Sequence, residues 1–100
     1  MLNLDEANYG PEVEQAAEPV LIGLCSGGEP LPRGFALLAA EGRPGLKCCR
    51  LDVSRCGALA GRLKTKPGGP SLLLVKEGQV AQRFRGDYDR GALLRILDLD

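Results

Sequence analysis

The chain has 100 residues, of which 44% are hydrophobic, 26% charged and 4% aromatic, a composition suited to one globular domain with a modest core and not to a disordered chain. Its 13 Lys and Arg balance 13 Asp and Glu, and no apolar run approaches the roughly 20 residues that span a bilayer. The absence of histidine excludes histidine acid–base catalysis, Ser-His and Cys-His pairs and His-ligated zinc.

The opening Met1-Leu2-Asn3-Leu4-Asp5-Glu6 lacks the basic and hydrophobic regions of a signal peptide, so a cytoplasmic protein is expected. Leu2 to Leu4 suits a short edge strand. A helix is expected from about Asn8 to Ala17, with Asn8 as N-cap, Pro11 early and Glu residues at its positive end, stopped by Glu18-Pro19. Val20 to Cys25 is a continuous apolar run, the mark of a strand covered on both faces. The Gly/Pro-rich stretch Ser26 to Pro32 reads as a loop, and Pro32 to Glu41 as a helix with Gly42 past its end. Leu46 to Val53 forms a second strand, and Ser54 caps a short helix reaching about Leu63. After the irregular Lys64 to Pro70, Ser71 to Val75 and Val80 to Arg85 make a hairpin around Lys76-Glu77-Gly78-Gln79. Asp87 or Asp89 caps a final helix through Leu97. Parallel strands joined by helices and closed by a hairpin give a single three-layer α/β/α domain over residues 1–100, with a mixed central sheet.

Charge and cysteine patterns narrow the chemistry. No Lys or Arg precedes Arg33, while Asp5, Glu6, Glu12, Glu14, Glu18 and Glu29 do. The basic residues beyond Arg33 alternate with apolar ones and few aromatics are present for stacking, so solvated helix and strand faces are expected and nucleic-acid binding is not. Cys25, Cys48, Cys49 and Cys56 contain no CxxC pair. Adjacent Cys48 and Cys49 on a strand point to opposite faces, one into the core and one to the surface, a poor arrangement for one tetrahedral metal. No metal and no cofactor is expected.

The order of elements and the local sequences resemble the thioredoxin family over nearly the whole chain. Pro19-Val20-Leu21-Ile22 is similar to that family's central strand, and Cys49-Arg50-Leu51-Asp52-Val53 to the next. Gly69-Pro70-Ser71-Leu72-Leu73-Leu74-Val75-Lys76-Glu77-Gly78-Gln79-Val80 resembles its cis-proline and hairpin, and Gly86 the glycine before its last helix. The resemblance implies a cis Gly69–Pro70 bond, with a loop one residue longer before it. It also implies that Glu29 and Pro32 stand at the two redox-cysteine positions, Gly23 at the buried aspartate and Cys25 at the loop tryptophan. Disulfide exchange needs an attacking thiolate, and Glu29 and Pro32 supply none.

The expected function is therefore that of a monomeric, non-catalytic protein- or peptide-binding module. By resemblance its groove is bordered by Gly28, Glu29, Pro30, Leu31, Gly69 and Pro70. The alternative is an atypical thiol–disulfide oxidoreductase using Cys25, with or without Cys56, at a shared edge of the sheet. In that reading the helix N-terminus lowers the Cys56 pKa. Glu29 lacks a second acid nearby and is read as a solvated loop charge.

Overall fold

A computed structural model of the chain describes residues Met1–Asp98. Five strands form one sheet: β1 (Leu2–Leu4), β2 (Val20–Cys25), β3 (Lys47–Asp52), β4 (Leu72–Lys76) and β5 (Gln79–Phe84), in the order β1-β3-β2-β4-β5. The first three are mutually parallel; β4 runs antiparallel to β2, and β5 to β4. Helices α1 (Arg33–Ala40), α2 (Gly57–Arg62) and α3 (Arg90–Ile96) complete the fold. Among the described residues no helix is long and apolar enough to cross a membrane.

Every residue of β2 is buried, because the sheet is covered on both sides and a central strand must be apolar on both. On one face, Val20, Ile22, Cys49, Leu51, Leu73 and Val75 pack against Leu59, Ala60 and Leu63 of the α2 region and against Tyr9 and Val13. On the other, Leu21, Leu72, Leu74 and Phe84 pack against Phe35 and Leu38 of α1 and Leu93 and Leu94 of α3. Adjacent Cys48 and Cys49 divide between these two cores. The expected surface cysteine is thus Cys48 packed half-buried under α1 and α3, and its thiol is pushed up to about 11 by burial and by neighbouring Cys49.

The helix expected from Asn8 to Ala17 is instead a π-helical turn at Gly10–Glu14, closed by the Gln15 amide on the Gly10 carbonyl at 3.0 Å. Its approach is fixed earlier than expected. The Asp5 carboxylate accepts from the amides of Ala7 and Asn8, and Asn8 Oδ1 accepts from the Asp5 amide, each at 2.8 Å. Asp5, not Asn8, therefore opens the segment, and Pro11, lacking an N–H, interrupts the regular ladder beyond it. Asp89 caps α3, accepting from the Ala92 amide at 2.7 Å.

The Gly69–Pro70 bond is trans, since no cis peptide occurs among the described residues. Trans is the default for an X–Pro bond by about 0.5–1 kcal/mol. The local pairing is complete with it: the Gly69 amide donates to the Lys66 carbonyl at 2.9 Å, and Ser71 pairs with Leu24 on one side and Phe84 on the other.

Candidate binding cleft

At the C-terminal end of β2 the chain turns outward, and the loop that follows is held from three directions. The Glu29 amide donates to the Ser26 carbonyl at 3.2 Å, while the Glu29 carboxylate accepts from the Ser26 amide at 3.1 Å. The Gly27 amide donates to Asp52 Oδ1 and to Ser54 Oγ, both at 3.2 Å. Asp52 in turn accepts from the Ser54 hydroxyl at 2.6 Å and the Ser54 amide at 3.0 Å. These bonds, led by the Ser54 hydroxyl, hold the Asp52 carboxyl below the usual aspartate range. Ser54 was expected to cap α2. It anchors the β2 loop instead, and the residue preceding α2 is Cys56, whose side chain makes no capping bond.

Beside this loop opens a cleft of about 620 Å³. One wall is Glu29, Pro30, Leu31, Pro32 and Arg33; the other runs from Lys66 to Ser71; Leu24, Cys25 and Val53 meet them from the sheet, with Asp87 at one side. Five of the six residues expected to border a groove, Glu29, Pro30, Leu31, Gly69 and Pro70, come together here, while Gly28 does not line it. Arg33, Lys66 and Asp87 were not anticipated, because a charged residue's position on a rim depends on how separate loops are brought together. The Asp52-Val53-Ser54 sequence did carry a signal for the anchor, since an Asp two residues before a Ser at a strand end favours a side-chain-closed turn.

Glu29 is thus more than a solvated charge: its carboxylate closes the turn from which it projects. The position of the buried aspartate in the family resemblance is also filled. A Cβ on Gly23 would lie 2.5 Å from the Phe35 ring and 2.9 Å from Leu31, so apolar side chains occupy the space over the strand. No acid could be added there without moving them.

Cys25 lines the cleft but is 4% exposed, and its thiol donates to the Leu51 carbonyl at 3.6 Å. Cys56 does not line the cleft. Its thiol donates to the Leu4 carbonyl on β1 at 3.7 Å. All four cysteines are free. The expected lowering of the Cys56 pKa is overturned: burial, then the nearby carboxylates of Glu6, Asp5 and Asp52, push it up. The α2 helix has only six residues, too short a dipole to oppose that. Among the described residues no three His, Cys, Asp or Glu side chains group in a metal-holding arrangement. No protein-family model matches the chain, and no curated protein is similar to it in sequence.

Proposed function

We propose that the chain is a non-catalytic binding module of thioredoxin-like fold, which holds an extended protein segment in the cleft between Glu29–Arg33 and Lys66–Ser71. The observation that carries this reading is the lining of the cleft. Prolines stand on both walls, with Leu31 between Pro30 and Pro32 on one of them, and the one thiol on the lining is buried against a carbonyl. Proline rings on both walls favour binding because they lose little conformational freedom on contact. A disulfide-exchange centre needs an accessible thiolate instead. The mode of contact differs from the one the resemblance implies. The Gly69 amide is already bonded to Lys66, so it does not donate to the bound segment, which is gripped chiefly by side-chain packing. Four unpaired cysteines also favour a reducing compartment, in keeping with a cytoplasmic protein.

Peptide-display selection on the purified domain tests the reading. Wild type is expected to enrich a leucine- and proline-containing consensus that Pro30→Arg, a change at an exposed wall position, no longer enriches. Equal enrichment by both would remove the cleft from the function. Dithiothreitol-driven insulin reduction above background, absent in Cys25→Ser, would establish the oxidoreductase alternative in its place.

A further inference from the structure

The Lys66 end of the cleft continues into a surface of one sign. Helix α2 ends with the Thr65 amide donating to the Ala60 carbonyl at 2.9 Å and the Lys64 amide to the Gly61 carbonyl at 3.1 Å, which brings Lys64 and Lys66 to the start of the cleft wall. Across from them, Arg83 donates from Nη1 to the Lys64 carbonyl at 3.3 Å. Arg83 is paired with Leu73, which faces the α2 side of the sheet. Arg85 follows just beyond β5, beside Ser71 of the cleft wall, whose amide donates to the Phe84 carbonyl and whose hydroxyl donates to the Gly86 carbonyl. Lys64, Lys66, Arg83 and Arg85 are all exposed, and none forms an ion pair within the described residues. The sequence has no acidic residue between Asp52 and Glu77 or between Glu77 and Asp87. Asp52 is bonded to Gly27 and Ser54, and Glu29 of the cleft wall to Ser26. Asp87 also lines the cleft, and within the described residues it forms no ion pair.

Lys64 adds a second observation. Its φ is +54°, the left-handed conformation at which helices commonly end with glycine. A lysine there carries a backbone cost that glycine would avoid.

We infer that the segment bound in the cleft is acidic, with apolar residues between the proline walls and Asp or Glu side chains running out over Lys64, Lys66, Arg83 and Arg85. This rests on the cleft reading above and names the chemistry of its partner. Charge complementarity selects an acidic chain. A peptide is favoured over a nucleic acid because the cleft lining contains no aromatic side chain on which a base could stack.

The test uses two fluorescent peptides with the same leucine–proline half, one continuing into a run of glutamates and the other into glutamines. Exposed ion pairs are individually weak, but four cations acting together are expected to make the glutamate peptide bind about tenfold tighter at low salt, an advantage that high salt screens. Lys66→Glu with Arg85→Glu should abolish the advantage, whereas the charge-matched Lys76→Glu with Arg95→Glu, on other exposed positions, should leave it. Lys64→Gly separates recognition from structure: its thermal midpoint should rise while its preference for the glutamate peptide falls. Equal binding of both peptides, still lost in Pro30→Arg, would overturn the acidic preference and leave the cleft reading standing. Binding of neither would overturn both. A thymidine oligonucleotide that binds tighter than the glutamate peptide, or self-association of the free chain at the same concentrations, would assign the basic surface to another occupant and overturn the inference.

Discussion

On the face covered by α1 and α3, backbone packs directly on backbone. A Cβ on Gly34 would fall inside the Tyr88 carbonyl oxygen and 2.6 Å from the Asp89 carbonyl carbon, so α1 and the start of α3 meet where only glycine fits. The forked ion pair of Arg90 with Glu41 clamps the same two helices, with Arg90 Nη2 donating to Glu41 Oε1 at 2.9 Å. On the face covered by α2 and the π-helical turn, side chains make the joins. Arg62 lies 5.8 Å from the centre of the Tyr9 ring and 3.6 Å from Glu14, and Lys47 reaches the Glu12 carbonyl at 2.9 Å. That face also buries the Thr65 hydroxyl at the end of α2, which has no hydrogen-bond partner among the described residues. A backbone contact has no rotamer with which to yield, whereas a side-chain contact can be rebuilt by its neighbour.

The largest effect tests that difference directly. Gly34→Ala is expected to destabilise the fold by at least about 3 kcal/mol in chemical denaturation, because the atoms it meets are main chain and the helices must separate. A loss below about 1 kcal/mol would mean that α1 and α3 can slide freely.

Gly23→Ala should lose about 2 kcal/mol, and here the obstruction is a side chain. Phe35→Leu removes the ring atoms that the new Cβ meets, so the double variant should be less destabilised than the two single losses added together. Simple additivity would show that the Phe35 ring is not what fills the space over Gly23.

On the other face, Thr65→Val should stabilise the domain by about 1 kcal/mol, since it replaces a buried hydroxyl lacking a partner with a methyl of similar shape. Destabilisation would reveal an ordered partner for that hydroxyl.

The smallest effect concerns the cleft anchor. The Asp52 carboxyl is held low by the Ser54 hydroxyl and then by the Gly27 and Ser54 amides and Arg55. Its contribution is therefore complete above the ordinary aspartate value, about 3.9, and is lost as pH falls through its lower folded value. The protection of the Gly27 amide, taken as its exchange rate relative to that of an unstructured amide at the same pH, should fall across that acidic window in wild type and be low at every pH in Asp52→Ala. Unchanged protection in Asp52→Ala would remove Asp52 from the anchor.

Much of this fold is legible in the residue pattern. A six-residue apolar run between Pro19 and a Gly-rich loop has the length of a strand covered on both faces, which marked Val20–Cys25. The hairpin turn at Glu77-Gly78 was equally plain, while the acidic cap of α3 was narrowed to Asp87 or Asp89. The stretches around Pro30 and Pro70 were legible as loops from their Gly and Pro content, whereas their meeting along one groove was implied only by the family resemblance. These signals lie within a few residues of one another, where local sterics and burial period decide the conformation.

What the sequence left open involves groups far apart in the chain. Ser54 serves Gly27 instead of α2 because β2 and β3 end side by side. Burial and three carboxylates outweigh the N-terminus of α2 at Cys56, a balance that depends on where Asp5 and Glu6 are brought by β1. The trans bond at Pro70 goes with the pairing of Ser71 to Leu24 and Phe84. The amino-acid order alone determined which segments had to be buried and where the chain had to turn, because hydrophobic period and turn chemistry act locally. The tertiary structure alone decided which amides, thiols and charges face one another, because solvation and hydrogen bonding depend on neighbours that the linear order does not place together.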